Sequence, residues 1–128
     1  MILACLDKQQ AEEQIRVIEH EIQQESTGDV SVSMKSIPLD LNSFYSINKF
    51  VEEFLQLNLP LHVLINNASI MGLPKYTTNV QGIESQFMVN YLGPFLLTRL
   101  LVPVLLKNTP SRVVCVSSQA HADPLLRG

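Results

Sequence analysis

The stretch L-H-V-L-I-N-N-A-S, from Leu61 to Ser69, decides the fold of this chain. An apolar run stops there at small polar residues, and the same pattern returns in R-V-V-C-V-S-S, from Arg112 to Ser118. An unbroken apolar run is typical of a parallel strand buried on both faces. Ligands of open α/β folds bind beyond the carboxyl ends of such strands. The two stretches therefore predict neighbouring strands that present polar groups at one sheet edge.

Strands and helices alternate on both sides of these stretches. Met1–Leu6 is apolar enough for a strand, and Asp7 is a good N-cap for the helix that follows. Thr27-Gly28-Asp29 ends that helix, and the residues up to Asp40-Leu41 predict a second strand near a sheet edge. The apolar face of the first helix is predicted at Ala11, Ile15, Ile18 and Ile22.

Two more helices complete the alternation. Ser43 opens one of them, and a longer helix runs from about Ile83 to Asn108 before Pro110. Because strands alternate with helices throughout, the connections favour a parallel sheet with helices on both faces. The inward face of the helix that Ser43 opens is predicted at Ile47, Phe50, Val51 and Phe54.

Length and composition indicate one domain or part of one. The chain has 128 residues, of which 46% are hydrophobic and 16% charged, enough for one ordinary core. Its formal net charge of -3 provides no basic field that would attract nucleic acid. We therefore expect no nucleic-acid partner.

Nothing in the chain indicates a metal site, secretion or a membrane span. Cys5 and Cys115 lie in apolar runs without C-x-x-C spacing, so we expect buried thiols and no metal. No secretion signal precedes Asp7, which favours the cytoplasm. Arg99 interrupts the apolar stretch 92–106, which is shorter than the roughly 20 residues that span a bilayer. A buried helix is expected there.

Five motifs together resemble the short-chain dehydrogenase/reductase family over essentially the whole chain. Within that family the resemblance is greatest to the retinol-dehydrogenase-like branch, especially to the reductase domain of the WW domain-containing oxidoreductases. The motifs are I-L-A-C before an acidic helix start, D-L at Asp40, N-N-A-S at Asn66, V-N-Y-L-G-P-F-L-L-T at Val89 and V-S-S-Q-A-H at Val116.

The resemblance implies an α/β fold, a partial Rossmann fold with a doubly wound parallel sheet. Residues 1–128 would form one incomplete dinucleotide-binding domain, in the order β-α-β-α-β-α-β, lacking the first strand and the C-terminal part. In the family's strand order, 3-2-1-4-5-6, the missing strand lies between the strands at Met1–Leu6 and 61–66. Either those two strands pair directly or buried backbone groups stay unpaired, at about 1 to 3 kcal/mol each. We expect a marginally stable fold in isolation.

The motif that ends the strand at 61–66 implies contacts with a dinucleotide. Asn66, Asn67 and Ala68 match the first three residues of the family's N-N-A-G, whose backbone and second asparagine hold the cofactor's ribose. Ser69 stands where the family has glycine, and it adds a Cβ at that position. An asparagine pair that only satisfies the backbone at a strand end is the structural alternative.

Two other pairs correspond to the adenosine end of the cofactor. Asp40 and Leu41 match residues beside the adenine, although an aspartate is also typical of a helix start. Cys5 and Leu6 stand where the branch selects a 2′-phosphate with an arginine. Because Leu6 replaces that arginine and Cys5 is no carboxylate, the branch resemblance alone favours NADP over NAD.

Two residues match catalytic positions. Ser118 matches the serine that hydrogen-bonds the substrate's oxygen and positions it, so it is both catalytic and substrate-binding by resemblance. Asn90 matches the helix asparagine whose main-chain carbonyl holds a water of the proton relay. Pro94 has no N–H for the Asn90 carbonyl, which predicts a bend in the helix near Asn90. A proline tolerated for packing and a serine that caps a turn are the structural alternatives.

Two parts of the family's machinery have no match in the sequence. The 5 glycines never form the phosphate loop G-x-x-x-G-x-G, and no Y-x-x-x-K pair follows Ser118. Tyr45 and Lys49 have the right spacing, but they lie on the helix after Asp40 instead. Because a positioned general acid is worth roughly 10² to 10⁴ in rate, the chain alone is not expected to turn over.

The leading hypothesis is a truncated part of an NAD(P)-dependent oxidoreductase that interconverts a hydrophobic alcohol and carbonyl. The resemblance suggests a retinoid-like or steroid-like small molecule. The alternative is a non-catalytic interaction module. It would pair through its long helix and an open sheet edge, as a homo-oligomer or with a full-length relative.

Overall fold

The computed structural model describes residues 1–25 and 32–118, in which strands and helices alternate. This order confirms the predicted β-α-β-α-β-α-β arrangement. The predicted end of the first helix at residues 27–29, Val30, and the motif residues after Ser118 lie outside the described residues. The strands are β1 (Ile2–Cys5), β2 (Lys35–Pro38), β3 (Val63–Asn66) and β4 (Arg112–Cys115). The helices are α1 (Lys8–Glu25), α2 (Phe44–Gln56), α3 (Ser85–Phe87) and α4 (Gly93–Lys107), and a π-helical segment, Met88–Leu92, joins α3 to α4.

The chain divides into two compact units, Met1–Asn58 and Leu59–Gly128. In the first unit β1 pairs with β2, and in the second β3 pairs with β4. Both pairings are parallel, as the sequence predicts. The sequence predicts one parallel sheet, whereas the described residues form two sheets of two parallel strands each.

Helix α1 starts and packs as its sequence predicts. The backbone N–H of Gln10 donates to Oδ1 of Asp7 at 3.0 Å, which makes Asp7 the N-cap. Ala11 and Ile15 are buried, at 4% and 7% exposure, and they form the inward face of the helix within the first unit. Beyond these two residues the apolar face of α1 is less buried, and Ile18 is half-buried.

Helix α2 contributes an apolar face to the core of the first unit. Ser43 is its N-cap, and its side chain accepts the N–H of Ser46 at 3.2 Å. Asn58 follows the C-terminus with a φ of 50°, a left-handed conformation that asparagine tolerates at helix ends. The four residues predicted to face inward, Ile47, Phe50, Val51 and Phe54, are all buried.

The long helix Ser85–Lys107 buries one stripe rather than its whole surface. The expectation of a buried helix is therefore wrong for the other faces, where Phe95 is 56% and Leu106 68% exposed. By length and composition this helix could cross a membrane, with 22% of its most apolar window buried, and core helices of soluble proteins meet the same criterion. The buried positions of α4 recur every four residues, at Gly93, Leu97, Leu101 and Leu105.

Strand β4 is exposed and β3 is partly exposed, contrary to the expectation of two doubly buried strands. All four residues of β4 are exposed, and Ile65 in β3 is 60% exposed. Cys115 is likewise exposed and Cys5 is half-buried, so the expectation of two buried thiols is wrong. The apolar run predicts that other elements pack on both faces of the strand. Those elements come from distant parts of the sequence, and among the described residues they do not bury β4.

We expect the purified chain to unfold in a broad transition at low temperature, because two-stranded sheets give marginal stability at best. Far-UV circular dichroism during heating measures the transition. Leu101→Ala, at a position 2% exposed, should abolish the folded baseline, whereas Leu106→Ala, at 68% exposure, should leave it intact. A sharp, cooperative transition at high temperature would contradict a marginal fold.

Candidate functional site

The polar residues that follow β3 and β4 leave the sheet at one edge. Asn66 lies opposite Cys115 in the parallel register, and the N–H of Val116 donates to the carbonyl of Asn66 at 3.0 Å. Since parallel strands end on the same side, residues 67–69 and 116–118 both begin at this edge. The predicted juxtaposition of the two polar stretches is confirmed. The chemical roles of their residues stay predictions.

The side chain of Asn66 ties the end of β3 to its neighbours. Its Nδ2 donates to Oγ1 of Thr98 at 3.1 Å and lies 3.9 Å from Sγ of Cys115. Thr98 is on α4, so this contact connects the sheet edge to the helix within the second unit. Sequence reasoning missed Thr98 as a partner, although it is the last residue of the motif V-N-Y-L-G-P-F-L-L-T.

Asn90 holds the loop after β3 with its side chain. Its Oδ1 accepts the N–H of Ile70 at 2.9 Å, and its Nδ2 donates to the carbonyl of Ile70 at 2.8 Å. One helical turn earlier, Oε1 of Gln86 accepts the N–H of Gly72 at 3.2 Å. We refer to Gln86 and Asn90 as the amide clamp. Its only sequence signal is two side-chain amides four residues apart on one helix.

The helix is irregular where Asn90 lies. The N–H of Gly93 donates to the carbonyl of Met88, five residues earlier, within the π-helical segment. Pro94 has no N–H, so an α-helical bond to the carbonyl of Asn90 cannot form. A π-helical turn thus interrupts the regular α-helical hydrogen bonds near Asn90, and the bend of the helix stays a prediction. Such single-turn π segments occur frequently at functional sites.

The residues predicted to touch a cofactor or substrate at this edge are accessible. Asn67, Ala68 and Ser69 are exposed, and so is Ser118. Among the described non-glycine residues, Asn58 is the one with positive φ. Serine in place of the family's glycine at position 69 therefore causes no backbone strain in this conformation.

A second polar edge lies at the carboxyl ends of β1 and β2. The N–H of Leu39 donates to the carbonyl of Cys5 at 2.7 Å, so both strands end together. Partial burial raises the pKa of the Cys5 thiol, and the charge of Asp7 raises it further. An open cavity of about 280 Å³ lies beside them, slightly below the usual range for small-molecule sites. Its lining includes Leu3, Cys5, Leu6, Asp7, Gln10, Ala11 and Gln14.

Asp40 takes part in the start of α2. Its Oδ1 accepts the N–H of Asn42 at 2.8 Å, and its own N–H donates to Oγ of Ser46 at 2.9 Å. These bonds are the helix-start chemistry named as the alternative for Asp40. The contact of Asp40 and Leu41 with an adenine stays a prediction.

The pair with Y-x-x-x-K spacing lies on the outer surface of α2. Tyr45 is 75% exposed, and Lys49, one turn later, is also exposed. Both residues are in the first unit, whereas Ser118 is in the second. Nothing in their geometry supports a role as the general acid pair.

The short chain dehydrogenase family model matches residues 3–127. The chain belongs to this family of oxidoreductases. Human retinol dehydrogenase 11 is 44% identical over 119 residues, which are 93% of this chain and 35% of that protein. The WW domain-containing oxidoreductase of Gallus gallus is 36% identical over 121 residues, covering 94% of this chain and 27% of that protein. These relatives place the chain in the retinol-dehydrogenase-like branch.

Solved structures agree with the family. An uncharacterised protein from Mycobacterium paratuberculosis superimposes with a TM-score of 0.70 and 35% identity, over 94% of this chain and 37% of that one. A metagenomic short-chain oxidoreductase in complex with NADP has a TM-score of 0.70 over 96% of this chain and 52% of its own. At 24% identity the second likeness shows the fold alone. The chain spans only part of its curated relatives, 35% of human retinol dehydrogenase 11 and 27% of the Gallus gallus oxidoreductase.

The residues present fit part of a nicotinamide dinucleotide. Amide and hydroxyl groups at 67–69 and at Ser118 are suited to ribose hydroxyls and a substrate oxygen. The sequence contains no G-x-x-x-G-x-G loop that would bind the pyrophosphate. When bound in the family, the nicotinamide supplies the hydride chemistry, and the protein supplies position and polarity.

Glu84 fixes the start of the long helix and hence the register of the amide clamp. Its carboxylate accepts the N–H of Gln86 at 2.8 Å and that of Phe87 at 2.7 Å. These backbone hydrogen bonds, that of Gln86 first, lower the pKa of Glu84 below its ordinary value. Ionised Glu84 is therefore an N-cap, and its negative charge also interacts favourably with the positive end of the helix dipole.

We expect Glu84→Gln to destabilise the chain at neutral pH and to matter less in acid. The stabilisation from ionised Glu84 is complete above the ordinary pKa of glutamate, about 4.3. It disappears as the pH falls through the lower pKa of the folded chain. Urea midpoints of the variant and the unmodified chain across this pH range measure the difference, with Glu53→Gln on α2 as the matched control. A gap between the curves that stays constant down to the lowest pH would refute this assignment.

Proposed function

We propose that this chain is the part of an NAD(P)-dependent oxidoreductase that holds the nicotinamide side of the cofactor and the reacting oxygen. The substrate is a small hydrophobic alcohol or ketone, of the retinoid or steroid type. Asn66, Asn67, Ala68 and Ser69 contact the cofactor's ribose, and Ser118 donates a hydrogen bond to the substrate's oxygen. The observation that carries this proposal is the parallel register of β3 and β4, which starts both polar stretches at one edge.

Ser118 is a positioning donor in this proposal and does not act as a nucleophile. A hydride passes between the nicotinamide and the carbonyl carbon, while the serine hydroxyl orients the oxygen. The main-chain carbonyl of Asn90 faces a water of the proton relay. Pro94 supports this assignment, because it has no N–H to donate to that carbonyl in a regular α-helix.

The cofactor in this proposal is NADP, with NAD as the alternative. Its adenosine end lies at the carboxyl edge of β1 and β2, near Cys5, Leu6, Asp40 and Leu41. The resemblance to the retinol-dehydrogenase-like branch favours NADP, and a solved structure of the same fold is a complex with NADP. Leu6 offers no cation to a 2′-phosphate, so we expect weak discrimination between the two cofactors.

We also infer that the protein acts in the cytoplasm. The 128-residue chain by itself does not convert substrate to product in this proposal. The sequence supplies neither a phosphate loop nor a tyrosine–lysine pair after Ser118. Without a cradle for the pyrophosphate, cofactor affinity falls. Without a positioned general acid, proton transfer to the substrate's oxygen is slow.

The direct test is a chimera in which this chain replaces the matched segment of human retinol dehydrogenase 11. We expect the chimera to oxidise retinol with NADP and Ser118→Ala to lower kcat by roughly 10² to 10³, the usual cost of losing such a donor. Ser117→Ala, at the adjacent exposed serine, is the matched control and should change kcat little.

Two outcomes would contradict the proposal. Equal losses of kcat for Ser117→Ala and Ser118→Ala would show that Ser118 has no special position. Retinol oxidation by the unfused chain at a rate comparable to the chimera would refute the inactivity of the chain alone.

A second candidate function is pairing through the long helix, as a homo-oligomer or with a full-length relative. Three aromatic side chains, Phe87, Tyr91 and Phe95, are 50%, 58% and 56% exposed and lie four residues apart. Their rings stack in sequence, with centroid distances of 5.3 Å and 6.4 Å. Aromatic residues dominate the energetics of protein interfaces, so this stripe favours an interacting helix.

We expect the chain to elute from size-exclusion chromatography as a dimer and Tyr91→Lys to elute as a monomer. A charge in the centre of the aromatic stripe would lose its solvation on pairing, at a large cost. Tyr45→Lys, at a tyrosine of α2 that is more exposed than Tyr91, is the control and should leave the elution unchanged. A monomeric unmodified chain that forms no complex with full-length retinol dehydrogenase 11 would rule out this second function.

A further inference from the structure

We propose that Gln86 is a positioning residue, which with Asn90 fixes the cofactor-binding stretch 67–69 from its far end. The proposal rests on the proposed function only in its cofactor readout. The amide clamp takes the place of a neighbouring strand for the loop beyond β3. Its side chains accept hydrogen bonds from, and donate one to, backbone groups that lie beyond the end of β3 and outside the sheet.

The spacing of the clamp suits this substitution. Gln86 and Asn90 are four residues apart, a rise of roughly 6 Å along a helix. Ile70 and Gly72 are two residues apart, and an extended chain covers roughly 6.6 Å over that distance. Each clamp residue can therefore serve one of two alternate loop residues, as an adjacent strand would.

The three bonds of the clamp differ in what they fix. Asn90 bonds both backbone groups of Ile70, at 2.9 Å and 2.8 Å, which sets the orientation of that peptide. Gln86 adds the N–H of Gly72 at 3.2 Å. Gly72 has a φ of 67°, and a Cβ there would meet no atom within 4 Å. The glycine is thus required by the backbone angle rather than by space.

The consequence is that residues 67–69 span two anchors. At one end Asn66 is held by the N–H of Val116 and by Thr98. At the other end Ile70 is held by Asn90, and Gln86 prevents the loop from pivoting about that single residue. Three exposed residues between two fixed points have little freedom, which is the preorganisation that ribose binding needs.

The test uses Gln86→Met, which keeps the length of the side chain and removes the acceptor, and Gln86→Glu, which keeps an acceptor. Amide exchange in the ¹⁵N-labelled chain is followed by NMR at low temperature, relative to the amide of Leu101 in the core. In Gln86→Met we expect the amide of Gly72 to exchange about fivefold faster, the effect of losing one ordinary hydrogen bond. We expect ¹⁵N relaxation of the same sample to show larger backbone motions at residues 67–69. In Gln86→Glu exchange should return to that of the unmodified chain.

Gln81→Met, in the exposed loop before the helix, is the matched control and should change none of these rates. Gln86→Leu replaces Gln86→Met if the latter does not fold. Titration of the retinol dehydrogenase 11 chimera with NADP gives a separate readout, and we expect about fivefold weaker binding for Gln86→Met and recovery for Gln86→Glu.

Unchanged exchange at Gly72 in Gln86→Met would overturn the clamp. Faster exchange at Gly72 with unchanged backbone motions at 67–69 would overturn the positioning role. If the chimera with unmodified Gln86 binds no NADP, the proposed function is contradicted instead, and the NMR measurements still decide the role of Gln86.

Discussion

The hydrogen bond from the N–H of Val116 to the carbonyl of Asn66 is the constraint on which the second unit depends. It extends the parallel register of β3 and β4 by one residue, to the point where polar residues follow both strands. A shift of one residue would send every side chain of β4 to the opposite face and move Ser118 away from Asn67. The site is therefore a consequence of register before it is a consequence of any single side chain.

The helix that connects these strands contributes to the site by being irregular. Pro94 and the π-helical segment alter the hydrogen bonding around Asn90, while Glu84 fixes where the helix begins. Between these features the helix presents two side-chain amides to the loop after β3. Two groups of Asn90 therefore have separate places in this account. Its side chain holds the loop, and its main-chain carbonyl is the group that we propose for the proton relay.

Local patterns predicted the elements well. The cap at Ser43 and the spacing of Ile47 and Phe54 suffice to predict α2, because capping and amphipathic burial are short-range effects. The interruption near Asn90 follows from Pro94, four residues away. The clamp did not follow, because the contact of Asn90 with Ile70 joins residues twenty apart and leaves no periodic signal.

Burial was the property that the sequence predicted least well. The run R-V-V-C-V reads as a doubly covered strand, yet β4 is exposed throughout the described unit. Hydrophobicity shows that a strand can be covered, whereas the cover itself comes from elements elsewhere in a fold. The chain spans about a third of the length of human retinol dehydrogenase 11, at 35%.

The most direct measurement is a nuclear Overhauser spectrum of the labelled chain. We predict cross-peaks from the amide proton of Val116 to the Cα protons of Asn66 and Asn67, in a parallel pattern that continues back to Arg112 and Val63. Cross-peaks that follow an antiparallel order, or a register shifted by one residue, would contradict the site at this sheet edge.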